Sequence, residues 1–344
     1  EVTDQAGTYD LTESTVADYT NTSITCDDNP DVEVSSVTIG LGETKTCTFV
    51  NDDDAPSLRL IKHVIIDNGG TAVAADWTLY AGADSVTGSE TAVEVTDQAG
   101  TYALTESSVA GYTNTSITCD DNPDVEVTSV TIGLGENKTC TFVNDDDAPS
   151  LRLIKHVSNN NGGTAKAADW TLYAGANSVT GSETWVEVTD QAGTYDLSES
   201  SIANYTNTSI TCDDAPGEVT SVTIGLGETK TCTVTNNDIA PELVVIKEVI
   251  GGDATPADFT MYVNGTDVSD PSFPGAASPG TKVTLVAGAY TVTETMGAYE
   301  NMYLAYFSDD CDSTIDIGDT KTCTVTNVAP SIHIDKKIAL SDTG

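Results

Sequence analysis

The composition of the chain limits what it can be. Its 344 residues are enough for two or three ordinary domains, and a content of 38% hydrophobic but only 6% aromatic residues favours several small cores over one large core. The 13 Lys and Arg residues are outnumbered by 54 Asp and Glu residues, which gives a formal net charge of -41. Such a surface repels nucleic acid and anionic lipid, so we exclude both as partners. No apolar stretch is long enough to span a bilayer, and we expect no membrane insertion of this segment.

An internal repeat dominates the sequence. Residues 1–54 match residues 94–147 at all but five positions, and a more divergent copy ends near Asn327. A fixed period of this kind indicates tandem domains of one fold. We therefore predict a partial repeat at 1–54 that holds only C-terminal strands, complete repeats at 55–147 and 148–239, a divergent repeat at 240–329, and the opening strand of a further repeat at 330–344.

The predicted elements of one complete repeat are short runs in which apolar and polar residues alternate. In chain order they fall within residues 58–62, 76–82, 100–107, 115–119 and 130–144. Gly, Pro, Asn or Asp bounds each run, which is typical of the strands of a β-sandwich. The fold class that we predict is all-β, with tandem β-sandwich domains. Because the junctions between the domains are short and contain proline, we expect the domains to form a linear rod. Residues 41–44, Leu-Gly-Glu-Thr, predict a hairpin between the last two strands.

Three strands of each repeat place a polar residue on the apolar face. Side chains alternate between the faces of a strand, so Lys62 lies on the same face as Leu60. The same alternation directs Glu106 and Asn144 inward. The equivalent residues in the other copies are Glu13 and Asn51; Lys155, Glu199 and Asn236; Lys247, Glu294 and Asn327; and Lys336.

Two arrangements could satisfy this buried trio, since an unpaired charge in a small core costs several kcal/mol. One is a Lys–Glu ion pair bridged by the Asn amide. The other is an intramolecular isopeptide bond, in which a neutral lysine attacks the Asn side-chain carbonyl, ammonia leaves, and the Glu only promotes the reaction. The crosslinked pairs would be Lys62–Asn144, Lys155–Asn236 and Lys247–Asn327, while the partners of Asn51 and Lys336 would lie outside this chain.

This pattern resembles the collagen-adhesin B-type repeats of surface proteins, which have a prealbumin-like (SpaA-like), Ig-like sandwich fold. The resemblance is based on the opening-strand Lys62, the phrase Gly-Thr-Tyr-Ala-Leu-Thr-Glu at 100–106 followed by Gly-Tyr at 111–112, and the final-strand Asn144. In that family the three residues generate an isopeptide bond, with Glu13, Glu106, Glu199 and Glu294 in the promoting position here. The resemblance extends over essentially the whole chain.

The eight cysteines indicate an oxidising, extracellular environment. They form one pair for each repeat without any Cys-x-x-Cys motif, which favours disulfides over zinc. We predict the pairs Cys26–Cys47, Cys119–Cys140, Cys212–Cys232 and Cys311–Cys323.

The remaining candidate sites are modification and metal sites. Glycosylation sequons recur at Asn21, Asn114 and Asn207, and we predict these as acceptors, although chance in a chain rich in Thr and Asn is the alternative. The acidic runs at 27–29 and 52–54 could hold Ca²⁺, but solvated loops are the preferred interpretation, and we predict no metal and no cofactor.

The sequence thus favours a non-enzymatic, structural protein of the cell surface, namely a filament or pilus shaft or an adhesin stalk. Its partners would be copies of itself in a fibre or neighbouring repeats. Two alternatives remain open at this point: repeats that bind a ligand themselves, and the accessory stalk of a surface enzyme.

Overall fold

Short β-strands joined by turns make up the computed structural model, which describes residues 5–332 and 334–337. The chain divides into two compact units, residues 1–149 with 225–227 and residues 150–224 with 228–344. Within the described residues, helical structure is limited to five 3-10 helices of three residues each. The all-β prediction is therefore confirmed. None of the helices among the described residues is long and apolar enough to cross a membrane.

Within the described residues the first repeat contains five strands, against eight in each of the other three repeats. They are β1 Gly7–Asp10, β2 Tyr19–Cys26, β3 Asn29–Glu33, β4 Ser36–Ile39 and β5 Cys47–Asp53. They form a two-stranded sheet, β1-β4, and a three-stranded sheet, β3-β2-β5.

The second repeat is a complete sandwich of two four-stranded sheets. Its elements are β6 Ser57–Ile65, the 3-10 helix Ala74–Asp76, β7 Thr78–Ala81, β8 Asp84–Thr87, β9 Val93–Thr96, β10 Gly100–Glu106, β11 Tyr112–Cys119, β12 Ser129–Ile132 and β13 Asn137–Asp146. The sheet orders are β12-β10-β7-β8 and β11-β13-β6-β9. Alternate residues of the strands fill the core between the sheets, with Leu60, Trp77, Leu79 and Phe142 all at most 1% exposed.

The third repeat has the same topology. Its elements are β14 Ser150–Ser158, the 3-10 helix Ala167–Asp169, β15 Thr171–Ala174, β16 Asn177–Thr180, β17 Val186–Thr189, β18 Gly193–Glu199, β19 Tyr205–Cys212, β20 Ser221–Ile224 and β21 Thr229–Asp238. Its sheets run β16-β15-β18-β20 and β17-β14-β21-β19.

The fourth repeat keeps this architecture, but two of its edge strands are shorter than the equivalent strands of the second repeat. Its elements are β22 Glu242–Ile250, β23 Thr260–Asn264, β24 Ser272–Pro274, β25 Thr281–Thr284, β26 Gly288–Thr295, β27 Leu304–Phe307, β28 Asp312–Ile315 and β29 Thr320–Val328, with 3-10 helices at Pro256–Asp258, Gly297–Tyr299 and Asp309–Cys311. The sheets run β24-β23-β26-β28 and β25-β22-β29-β27.

The first and last strands of each complete domain are parallel neighbours. In the second domain β6 pairs with β13 from Ser57↔Asn137 to Ile65↔Asp145. The pairs β14–β21 and β22–β29 are parallel in the same way. The chain therefore enters and leaves each domain through two strands that lie side by side in the centre of one sheet.

One expectation about strands is corrected by the structure. The turn at 41–44 is not a hairpin, because β4 pairs with β1 and β5 pairs with β2, so the chain crosses from one sheet to the other there. Gly42 still adopts a φ of 76°, which fits a tight turn. Residues 330–332 and 334–337 form no strand, and Ile332 and Ile334 are 88% and 83% exposed. Residues 333 and 338–344 lie outside the described residues, and the opening strand of a further repeat at 330–344 stays a prediction.

Candidate functional site

The candidate site of the second domain lies between its two sheets. Lys62 extends from β6 and Asn144 from the adjacent β13, while Glu106 lies at the end of β10 in the opposite sheet. The Lys62 Nζ donates to Asn144 Oδ1 at 2.5 Å and lies 3.0 Å from Glu106 Oε2. The structure thus brings the three predicted side chains together, as alternation along the strands requires.

The site is almost fully shielded from solvent. Lys62 is 0% exposed, Asn144 is 3% exposed, and the Glu106 side chain is 10% exposed. Burial lowers the pKa of Lys62 below its ordinary value of 10.5, and the adjacent Glu106 carboxylate opposes that shift only in part. An amine in this position loses its proton more readily than one in water, which makes it a better nucleophile.

An aromatic ring covers the lysine in every complete domain. The Nζ of Lys62 lies 4.6 Å from the centre of the Trp77 ring. Trp170 and Phe259 occupy the same position over Lys155 and Lys247, at 4.7 and 4.6 Å. Both tryptophans are buried in the core, and they also form one wall of the site. The ring offsets part of the cost of burying the ammonium group.

The third domain repeats the geometry of the second. Lys155 Nζ donates to Asn236 Oδ1 at 2.6 Å and lies 3.1 Å from Glu199 Oε2. Lys155 is 0% exposed and burial again lowers its pKa. Near-identical sequences therefore form near-identical sites.

The fourth domain assembles the same residue types with a different amide orientation. Lys247 Nζ lies 2.8 Å from Glu294 Oε2, and burial lowers the pKa of Lys247. Here Asn327 presents its Nδ2, not its oxygen, to Glu294 Oε2 at 3.3 Å. Asn327 Oδ1 and Glu294 Oε1 are buried without a hydrogen-bond partner.

A fourth residue joins the site in the second and third domains. Asn114, which the sequence marked as a glycan acceptor, donates from Nδ2 to Glu106 Oε1 at 3.0 Å and to Asn144 Oδ1 at 3.1 Å. Asn207 makes the equivalent bonds at 3.0 and 3.4 Å. Asn114 lies directly opposite Asn144 in the register of β11 and β13. This contact follows from the pairing register of β11 and β13, and the sequence alone does not give that register.

The first repeat contains two of the three residues of the site, Glu13 and Asn51. Glu13 accepts hydrogen bonds from Asn21 Nδ2 at 2.7 Å and from Asn51 Nδ2 at 3.1 Å. All three residues are exposed, and so is Lys336 near the other end of the chain. That Asn51 and Lys336 have partners outside this chain stays a prediction.

The four disulfides join the cysteines that the sequence pairs. They are Cys26–Cys47, Cys119–Cys140, Cys212–Cys232 and Cys311–Cys323. The first three link directly opposite residues of adjacent antiparallel strands, as Cys119 and Cys140 do in β11 and β13. Each disulfide thus fixes the last strand of its domain to an element beside it.

The acidic groups form loops and contacts of their own. In the run 27–29, Asp28 is paired with Lys45 at 2.6 Å. A cluster that the sequence did not indicate, Asp67, Asp145 and Asp146, has carboxylate oxygens within 4.8 Å of one another. Asp146, however, accepts backbone N–H bonds from Asp67 and from Gly70, at 3.0 and 2.7 Å, so it holds the loop after β6 closed.

Comparison with known proteins agrees with this architecture. A family model described as a prealbumin-like fold domain matches four times, at residues 1–49, 53–142, 146–234 and 238–329. The chain belongs to this family. The four matches make the chain a tandem array of prealbumin-like domains, as the resemblance to collagen-adhesin B-type repeats predicts. Comparison with curated protein sequences finds no significant match.

Three solved structures illustrate the similarity of fold. The Bacillus anthracis TIE protein is 15% identical with a TM-score of 0.47, over 94% of this chain and 68% of that one. The Streptococcus pyogenes major pilin is 15% identical with a TM-score of 0.29, over 54% and 99%. Two B repeat units of the Staphylococcus aureus collagen binding protein are 12% identical with a TM-score of 0.23, over 92% and 95%. At these identities the likeness concerns the fold alone.

Proposed function

We propose that this chain is a load-bearing segment of an extracellular, cell-surface structure, either a pilus or filament shaft or an adhesin stalk, and that it performs no enzymatic turnover. The observation that supports the proposal is the enclosed Lys–Glu–Asn trio of three successive prealbumin-like domains, in which the lysine lies on the first strand and the asparagine on the last. Its partners would be neighbouring repeats and copies of itself in a fibre. The disulfides and the acidic surface suit a protein outside the cell.

Each trio would form an isopeptide bond once, during maturation of the domain. Lys62 passes a proton to Glu106, 3.0 Å away, and the neutral Nζ attacks the side-chain carbonyl carbon of Asn144. The Nζ–Cγ bond forms and the Cγ–Nδ2 bond breaks. The departing nitrogen takes one further hydrogen from the lysine and then the proton held by Glu106, so it leaves as ammonium. Lysine and asparagine end as a neutral amide, and Glu106 returns to its carboxylate.

The parallel pairing of the crosslinked strands explains why such a bond would matter. Tension on the chain pulls the start of β6 and the end of β13 in opposite directions, which shears the two strands past each other. A covalent link between Lys62 and Asn144 passes the tension directly from one strand to the other. The chain between Lys62 and Asn144, which are 82 positions apart in the sequence, would then never bear load.

Intact-mass measurement under reducing conditions tests the proposal. Each crosslink removes about 17 Da as ammonia, so the three complete domains should lower the mass by about 51 Da relative to the sequence. A Lys62→Met variant should show only two losses after correction for the substitution. A mass equal to that of the sequence would refute the covalent bond and leave a buried ion pair.

A further inference from the structure

We propose that Asn114 and Asn207 are catalytic donors in crosslink formation, acting on the carbonyl oxygen of the asparagine that is attacked. This inference rests on the proposed isopeptide bond and adds a fourth member to its site. When Lys62 attacks, negative charge develops on Asn144 Oδ1. The Asn114 Nδ2 already lies 3.1 Å from that oxygen and donates to it. A fixed donor at the atom where charge develops lowers the barrier more than it stabilises the ground state.

The glutamate in these domains is engaged elsewhere. Glu106 Oε2 faces Lys62 and Glu106 Oε1 accepts from Asn114, so the two carboxylate oxygens contact the nucleophile and the amide donor. Glu199 does the same with Lys155 and Asn207. This arrangement divides the work of the reaction. The glutamate accepts the proton of the lysine and passes it on to the leaving nitrogen, and Asn114 or Asn207 stabilises the oxyanion.

The fourth domain is a natural comparison that lacks the donor. Ala305 pairs with Asn327 in the register at which Asn114 pairs with Asn144. In that domain Asn327 Oδ1 is buried without a hydrogen-bond partner, and its Nδ2 faces Glu294. In the second and third domains, which have both the lysine and the extra asparagine, the reacting amide points its oxygen toward the donor.

The backbone of β11 is shaped for this contact. A bulge shifts the register between Asn114 and Ser116, and the same bulge occurs in β19 between Asn207 and Ser209. A bulge re-aims a side chain relative to simple alternation. The result is an asparagine in an exposed position whose amide group nevertheless reaches the buried site. No such shift interrupts the pairing of β27 with β29.

The experiment follows crosslinking of the full chain as it is made. The protein is synthesised in a cell-free system that adds no glycans, reactions are stopped with acid at intervals, and digested peptides report the Lys62–Asn144 and Lys155–Asn236 links separately. In an Asn114→Ala chain we expect the second domain to crosslink about 100-fold more slowly than the third domain of the same molecules, the lower end of what loss of one oxyanion donor costs. The third domain is thus an internal control.

Two further variants separate chemistry from folding. Ser116→Ala removes the sequon but keeps Asn114, and it should crosslink at the unsubstituted rate. Asn207→Ala should give the reverse result, a slow Lys155–Asn236 link beside an unaffected Lys62–Asn144 link in the same molecules. The Cys119–Cys140 peptide in the same digests shows that the Asn114→Ala domain has folded.

The outcomes distinguish the two proposals. Equal rates in the second and third domains of the Asn114→Ala chain, or of the Asn207→Ala chain, would overturn the donor role and leave the isopeptide bond intact. An unsubstituted chain in which none of the three links forms would overturn both.

Discussion

A second domain without its crosslink should lengthen under force, whereas the unsubstituted domain should not. The perturbation is Lys62→Met together with Glu106→Gln, which removes the nucleophile and leaves no buried charge without its counter-charge. Replacement of a buried ion pair by neutral side chains of similar volume is often tolerated, so the variant is expected to fold. Handles are attached at Ala55 and Ala148, on either side of the domain, so that only this domain is stretched.

The size of the lengthening follows from the positions of the strands and the disulfide. The segment under tension runs from Ser57 to Asp146. The Cys119–Cys140 disulfide keeps the chain between its two cysteines, a sequence separation of 21, from being extended. About 68 residues then extend at about 3.5 Å each, less the roughly 30 Å that the folded strands already span, for a step of about 200 Å. With the disulfide reduced, the step grows to about 280 Å, because the excluded residues are released as well.

Single-molecule force spectroscopy measures these steps directly. The unsubstituted domain should show none of them, oxidised or reduced, because the load passes from residue 62 to residue 144 through the side chains. The variant should show a single step, of about 200 Å when the disulfide is oxidised and about 280 Å when it is reduced. A step of about 200 Å from the unsubstituted, oxidised domain would refute the mechanical argument, since it requires β6 and β13 to separate.

Three other changes have definite expected outcomes. Replacing Cys119 and Cys140 by Ala should cost about 3 kcal/mol in the free energy of unfolding, measured by denaturant titration in the Lys62→Met background, as expected for a loop of this length. Glu106→Gln should block crosslinking and leave the buried lysine with its pKa below 10.5; because the unfolded state then binds more protons, stability should rise as pH is raised toward 10.5, and a pH-independent midpoint would contradict this. Gly88→Ala should lower the melting temperature, since its Cβ would lie 2.3 Å from a backbone oxygen, whereas Gly217→Ala, with nothing within 4 Å, should not.

The sequence predicted the buried trio because strand alternation is a local rule. Lys62, Glu106 and Asn144 each share a face with apolar neighbours within their own strands, so their inward direction needs no knowledge of the fold. The divergent fourth repeat helped, since Lys247 persists there although much of the surrounding sequence has changed. The same local rule located the apolar core positions and the cysteines that face one another.

Features that depend on pairing between distant strands were missed. The sequence identifies Asn114 only as a predicted glycan acceptor, since its contact with Asn144 depends on a register and a bulge that no local pattern encodes. The turn at 41–44 was taken for a hairpin because a glycine turn between two strands looks the same in sequence whether the strands pair or belong to opposite sheets. The orientation of Trp77 over Lys62 depends on how the two sheets stack.

The positions of the two covalent links explain why one domain would need both. The disulfide joins β13 to β11 and closes a short loop, so it stabilises the folded state but does not touch the first strand. A chain pulled from its ends can still shear β6 away from β13 with that disulfide intact. The Lys62–Asn144 pair spans the strands that tension would separate, and its loop contains the disulfide loop entirely. A disulfide in this place would therefore not replace the proposed isopeptide bond, because the disulfide stabilises the fold against thermal unfolding but leaves β6 and β13 free to separate under tension.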